Sequence, residues 1–175
     1  MRRAEDEAVP LIVTLLLDDA AQVRFDRLRA AHFPVERNHV GAHVTLFHAL
    51  PGAHLEQVRD ELSAAADRPP FGVAVTGVRF LGRGVALDLH APELTSLRSS
   101  LAAAFAPWLT RQDQQWSRPH VTVQTKVEPA VARALHAELS ARFVPETVTA
   151  RGLGLWRYLG GPWAPEAVLP FSRDT

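Results

Sequence analysis

His43-Val44-Thr45-Leu46 and His120-Val121-Thr122-Val123 are one pattern met twice: His, aliphatic, Thr, aliphatic. In a β-strand alternate side chains leave opposite faces. Each copy therefore puts an imidazole and a hydroxyl on one face and two aliphatics on the other. Imidazole is the side chain that titrates near neutrality. Two of them facing one cleft suit paired acid–base work: one takes a proton from an attacking nucleophile while the other gives one to a leaving oxygen, each worth about 10²–10⁴-fold. Hydroxyls two residues on can donate to phosphoryl oxygens and hold developing negative charge. A fixed attacking oxygen adds the proximity term. This chemistry calls for no metal and no cofactor.

The elements around the motifs also recur. Pro10–Leu17 is an apolar run with the composition of a buried strand. Asp19 is placed to cap a helix over 20–33, with Val23, Leu28 and Ala31 as its apolar stripe, stopped before Pro34. A polar loop over 35–42 leads into a motif strand over 43–49. A helix follows over 54–67, on Leu55, Val58, Leu62 and Ala65. Alternating residues over 71–81 and 85–89, joined by Gly82-Arg83-Gly84, read as a hairpin. A third helix over 94–106 carries Leu94, Leu97, Leu101 and Phe105. A polar loop over 110–119 precedes the second motif strand, 120–127. Pro129 opens a fourth helix to Phe143, then come a strand over 147–159, a Gly160-Gly161-Pro162 turn and a short strand over 167–171.

The two histidines stand 77 positions apart, and a shift of 78 lays Arg79-Phe80-Leu81-Gly82 on Arg157-Tyr158-Leu159-Gly160. Two matches at nearly one shift point to duplication of a whole lobe rather than chance. The expected fold is α+β and bilobal: lobes of roughly 1–81 and 82–175 within one domain, related by a pseudo-twofold, two antiparallel sheets lining a central cleft, helices outside.

Composition bounds the partners. The 175 residues carry 19 Lys+Arg against 19 Asp+Glu, a formal net charge of +0. That argues against gripping long nucleic acid by bulk charge, which takes many phosphate contacts. It leaves room for a small phosphorylated ligand or an RNA end. With no cysteine there are no disulfides, thiolate metal sites or cysteine nucleophiles. A cytoplasmic monomer is expected. Arg2 and Arg3 before the apolar run 9–17 loosely resemble a signal peptide, but Glu5, Asp6 and Glu7 intervene and no small-residue cleavage site follows. The run is too short for a membrane span. His39, His43 and His48 come nearest to a metal set, yet no Asp, Glu or Cys accompanies them at ligand spacing, and alternation turns His48 away from His43. No Gly-rich phosphate loop is present.

With Arg118-Pro119 before the second motif, the paired motifs resemble the 2H phosphoesterases, the superfamily of 2′-5′ RNA ligase-like proteins and cyclic phosphodiesterases. The resemblance implies a bilobal α+β fold and metal-free cleavage of cyclic phosphodiesters, such as 2′,3′-cyclic phosphates on nucleotides or RNA ends. Some relatives reversibly join RNA ends through 2′-5′ linkages. It implies His43 and His120 as the acid–base pair and Thr45 and Thr122 as phosphate holders. His120 is read as base and His43 as acid, roles that the pseudo-symmetry leaves exchangeable.

Other residues are candidates for the substrate surface. Phe47 and Gln124 should share a face with their histidines on regular strands; Phe47 is then a platform for a base, with a core position as the alternative. Arg118 could reach a phosphate. Trp156 and Tyr158, two apart on a late strand, wall the cleft or pack in the core. His39 lies in the loop before His43. Two function classes stay open: a phosphodiesterase or end-processing enzyme, and a module that grips a nucleotide or RNA end without turnover.

Overall fold

The computed structural model describes residues 9–173. Arg2, Arg3 and Glu5–Glu7, the residues bearing on a signal peptide, lie outside that range. No helix among the described residues is long and apolar enough to cross a membrane.

Among the described residues, seven strands and five α-helices form around one hydrophobic cluster. Strand β1 (Leu11–Leu17) is buried at nearly every position. Helix α1 (Asp19–His32) follows at once, capped by Asp18, one residue earlier than expected: its carboxylate accepts the Ala21 N–H at 2.9 Å. The same carboxylate accepts the Thr149 N–H at 2.8 Å, tying the helix start to a late strand. Those backbone bonds hold Asp18 below the ordinary carboxyl range. Next come β2 (Val44–Leu50), α2 (Leu55–Ala65), and the hairpin of β3 (Phe71–Phe80) and β4 (Val85–His90). Helix α3 (Pro92–Ala104) starts on Pro92, and a short helix α4 (Arg111–Gln114) occupies the stretch expected to be loop. The second half closes with β5 (His120–Gln124), α5 (Pro129–Arg142), β6 (Glu146–Tyr158) and β7 (Trp163–Pro170).

The sheet order is β2-β1-β6-β3-β4-β5, with β7 also on β6, and every neighbouring pair is antiparallel. Exchanging β1, β2 and β3 for β4, β5 and β6 returns the same order reversed. The third strand of each sequence half pairs with the first strand of the other: β3 with β4, β6 with β1. The fold is α+β as expected, but the two separate sheets are corrected to one. The long β6 carries β3 beside its first half and β7 beside its second, and so joins both ends into a single hydrogen-bonded sheet. The sheet curls until its end strands, β2 and β5, touch.

Both motif strands are irregular at the same place. Thr14 pairs with Thr45 but Val13 pairs with Phe47, so Leu46 is an extra residue on β2. Ala86 pairs with Thr122 and Val85 with Gln124, so Val123 is an extra residue on β5. Each is a β-bulge, which reverses the inside–outside alternation beyond it.

A bulge turns carbonyls out of the ladder, and buried ones need other donors. Two buried arginines supply them. Arg98 on α3 donates through Nε to the Leu46 carbonyl at 2.7 Å and through Nη2 to the Asp113 carbonyl at 2.6 Å. Arg29 on α1 donates through Nη1 to the Thr122 carbonyl at 2.9 Å and through Nε to Asn38 Oδ1 at 2.9 Å. Each braces the motif strand of the opposite half. Each guanidinium also stacks on a phenyl ring, Arg29 on Phe33 at 3.8 Å and Arg98 on Phe47 at 3.9 Å.

The expected stripe of α1 is therefore rotated. Ala21, Phe25 and Arg29 face inward, while Val23 is 47% exposed, because Arg29 has bonds to make inside.

Arg98→Met keeps the apolar stem and removes two buried charge-assisted hydrogen bonds. The expected loss is about 2–4 kcal/mol, with a similar loss for Arg29→Met. Chemical denaturation measures both; wild-type stability in both variants would mean that the braces hold nothing.

Candidate active site

The motif strands deliver what alternation promises as far as the bulges. Val44, Leu46, Val121 and Val123 are 0% exposed, while His43, Thr45, His120 and Thr122 are partly open on the other face. Neither Thr45 nor Thr122 hydroxyl has a hydrogen-bond partner among the described residues.

The two imidazoles are held alike. His43 Nδ1 lies 2.8 Å from the Gly41 carbonyl, and His120 Nδ1 lies 2.9 Å from the Arg118 carbonyl. In each case the acceptor is two residues back. A carbonyl only accepts, so each Nδ1 carries the proton and each Nε2 is the open nitrogen. Such a nitrogen takes a proton when the ring is neutral and gives one when it is charged. Arg118 thus serves His120 through its backbone. Its guanidinium, 64% exposed, leans 3.4 Å from Asp88 Oδ2.

The surroundings of the two rings differ. His43 sits among apolar groups: Leu16 shares its cavity, and the Trp163 ring lies 4.5 Å away. Burial lowers its pKa to about 4 against the raising effect of the Gly41 carbonyl, with Arg29, His120 and His48 adding repulsion. His120 pairs directly across the ladder with Asp88. Asp88 is clamped by Arg79, whose Nε lies 2.6 Å from Oδ1. Burial lowers the His120 pKa as well and the Arg118 carbonyl opposes it; Arg79 and His48 push it down while Asp88 pushes it up. His120 lies within electrostatic range of His43.

Beside His43 opens a cavity of about 450 Å³, with Trp156, Trp163, Arg151 and His39 in its lining. Trp156 Nε1 donates to Thr14 Oγ1 at 2.9 Å. Gly154 makes that bond possible, because a Cβ there would stand 2.8 Å from both atoms.

Of the residues expected around the pair, Trp156 and His39 reach the cavity. Tyr158 does not line it; it is 41% exposed at the end of β6. Phe47 and Gln124 are corrections with one cause. Each follows a bulge and is swung to the inner face, Phe47 at 0% and Gln124 at 4% exposure. Phe47 meets Phe105 edge-on at 5.3 Å and lies under Arg98, so it is a core residue rather than a platform for a base. Gln124 Oε1 is buried without a hydrogen-bond partner among the described residues.

The same bulge overturns the expected orientation of His48. It returns to the cleft side, close enough for its charge to reach both His43 and His120. Its Nδ1 is held by Asp113 Oδ1 at 2.9 Å. His48, Asp113, Asp88 and the two arginines are what the sequence reading missed. The arginines had left a signal: Arg98 falls at helical spacing among Leu94, Leu101 and Phe105, and Arg29 follows Ala21 and Phe25 at steps of four. No group of three His, Cys, Asp or Glu among the described residues is arranged to hold a metal ion.

Comparison with known proteins places these features. A model of the 2′-5′ RNA ligase superfamily matches residues 17–162. No curated protein matches the sequence. Among solved structures, E. coli LigT complexed with 3′-AMP is similar at 20% identity, over 95% of this chain and 100% of that one, with a TM-score of 0.63. TT0787 of Thermus thermophilus is similar at 16% identity, over 93% and 97%, with a TM-score of 0.65. A structure described as a phosphoesterase is similar at 20% identity, over 94% and 99%, with a TM-score of 0.58. At such identities the likeness of structure speaks for the fold alone. The family match spans both histidine motifs and most of the chain, and on that match the chain belongs to the 2′-5′ RNA ligase superfamily.

Proposed function

We propose that this protein hydrolyses cyclic phosphodiesters, the 2′,3′-cyclic phosphates of nucleotides or RNA ends, by metal-independent acid–base catalysis from His43 and His120. The observation that carries the reading is the matched pair of imidazoles. Each Nδ1–H is spent on a carbonyl two residues back, which leaves two Nε2 atoms for substrate. E. coli LigT has been crystallised with 3′-AMP, NADP+, ATP and phosphate. By that similarity a nucleotide phosphate is the ligand of this cleft, and the cavity beside His43 has room for its nucleoside.

The unequal surroundings divide the roles. Groups whose environments push their pKa values apart divide into base and acid. His43, the ring taken down to about 4 in apolar surroundings, is neutral at pH 7 and acts as base. His120 is lowered too, but Asp88 opposite works against that, so of the two rings it is the readier to carry the proton to be donated. This reverses the order read from the sequence. His43 Nε2 takes a proton from water as the water oxygen bonds to phosphorus. The bond from phosphorus to the 2′ or 3′ oxygen breaks, and His120 Nε2–H protonates that oxygen, leaving a phosphomonoester. Thr45 and Thr122 donate to the non-bridging oxygens as charge builds there. With a ribose hydroxyl as nucleophile in place of water, the same proton transfers join two ends.

Release of phosphomonoester from a nucleoside 2′,3′-cyclic phosphate in EDTA tests the reading. His43→Ala and His120→Ala should each lose about 10²–10⁴-fold in kcat, and Thr45→Val or Thr122→Val about 10²-fold. Tight nucleotide binding with no turnover of any cyclic phosphate would instead make the protein a binding module.

The pH dependence follows from the same surroundings. kcat/KM reports free enzyme, and both free-enzyme imidazoles lie below the ordinary 6.5. The profile should be a bell with both limbs on the acid side of pH 6.5; a single limb, or a bell centred above 7, would refute the two-histidine mechanism.

Stability is linked to these protons. A histidine whose folded pKa is depressed stabilises the fold fully above its unfolded value near 6.5, and that contribution is lost as pH falls toward its folded value. The melting temperature without ligand should therefore drop between pH 6.5 and 4. Inorganic phosphate, which favours the charged rings, should offset part of the drop, and His43→Phe should flatten it.

A further inference from the structure

His48 has no part in the two-histidine reaction, yet it is among the most firmly placed side chains of the cleft. Asp113 does the placing. Its carboxylate is 0% exposed and takes three donors: the His48 N–H at 2.8 Å, His48 Nδ1 at 2.9 Å and the Ala49 N–H at 3.1 Å. The three bonds hold its pKa down although burial alone would raise it. Asp113 is itself fixed: its N–H donates to Thr110 Oγ1 at 3.3 Å, and its carbonyl accepts from Arg98. Arg98 in turn grips the bulge carbonyl at Leu46, and Trp116 Nε1 grips the preceding carbonyl at Thr45, 2.9 Å away.

All of this machinery acts on the turn of backbone that brings His48 back to the His43 face. A carboxylate bonded to one imidazole nitrogen orients the ring and leaves the other nitrogen to act outward. The His48 side chain is 35% exposed, so Nε2 has an opening. It lies within electrostatic range of both catalytic rings. Along β2, His48 stands three residues past Thr45, roughly 7–10 Å at strand spacing with a bulge included. That is beyond the reach of one phosphate held at Thr45, and suited to a second anionic group on the same ligand.

We propose that His48, oriented by Asp113, binds a second phosphate of the substrate through Nε2, so that the preferred substrate is an oligonucleotide end rather than a mononucleotide. This rests on the cyclic phosphodiesterase reading and specifies its substrate. The alternative is a histidine that merely satisfies Asp113 at the edge of the sheet.

The experiment compares a nucleoside 2′,3′-cyclic phosphate with a dinucleotide ending in the same group, in wild type, His48→Gln and Asp113→Asn. Gln keeps a polar side chain without the charge. The wild type should prefer the dinucleotide, and the ratio of the two kcat/KM values should fall about tenfold in His48→Gln, through KM, as expected for one charge-assisted hydrogen bond. Asp113→Asn should lower the ratio likewise. Equal losses on both substrates, or an unchanged ratio, would overturn the proposal.

Calorimetric titration with a 3′-mononucleotide and a dinucleotide 3′-phosphate needs no turnover. A wild type that binds the dinucleotide more tightly, with the difference abolished in His48→Gln, supports the second phosphate site even if hydrolysis fails. Equal affinities in the wild type refute it even if hydrolysis succeeds.

Discussion

Two hydrogen bonds from buried arginines to the carbonyls of two bulged strands are the constraint on which the site depends. A bulge is costly inside a protein because it takes carbonyls out of the ladder, and a buried carbonyl without a donor forfeits about the worth of a hydrogen bond. Arg98 meets that need at Leu46 and Arg29 meets it at Thr122. Both come from helices of the opposite half. The motif strands stand at the two ends of the sheet order, where each is paired along only one edge. The crossing arginines bind each end strand to the other half and thereby bring the ends together. Desolvation is offset by geometry: each guanidinium makes two hydrogen bonds and lies on an aromatic face.

The site is a symmetric frame with asymmetric contents. Both histidines use the carbonyl two residues back, both threonines are open, and both strands bulge one residue after the threonine. The proposed chemistry needs the rings to differ, since one is to take a proton while the other gives one. The difference comes from the neighbouring strands. Leu15 pairs with Val44, so the next step of that register brings Leu16 beside His43, where His120 has Asp88. Burial disfavours charge on both rings; an apolar neighbour and Trp163 surround one, while the other has the Asp88 carboxylate to offset part of that effect. In the proposed mechanism, a repeated backbone pattern with unequal neighbours is the physical route from a twofold to a directed proton transfer.

Much of the fold is legible from local pattern. The strand at Leu11–Leu17, the hairpin through Gly82-Arg83-Gly84 and the helix started by Pro129 follow from composition and turn chemistry acting over a few residues. The face that carries the paired histidines is legible up to Thr45 and Thr122, because alternation holds on a regular strand. It fails at the next residue. Alternation assigns Phe47 and Gln124 to the cleft and His48 away from it, and the bulges reverse all three. One inserted residue changes parity, and neither Leu46 nor Val123 marks a bulge, as a glycine would have done. The inward face of α1 is hidden for a related reason: a stripe is sought among apolar residues, and Arg29 lies on it.

By itself the sequence determined the motif, its duplication, the α+β class and the residues that back the motif in the core, since these rest on periodicities of two and 3.6 that every neighbouring side chain reports. The tertiary structure alone decided that β6 joins the two ends into one sheet, that arginines from opposite halves hold the bulges, that the second histidine faces Asp88, and that His48 belongs to the cleft. Each of these depends on contacts between residues tens of positions apart. A buried charge or an extra strand residue is tolerated only where a distant partner completes its hydrogen bonds, and that partner is known only once the chain has folded.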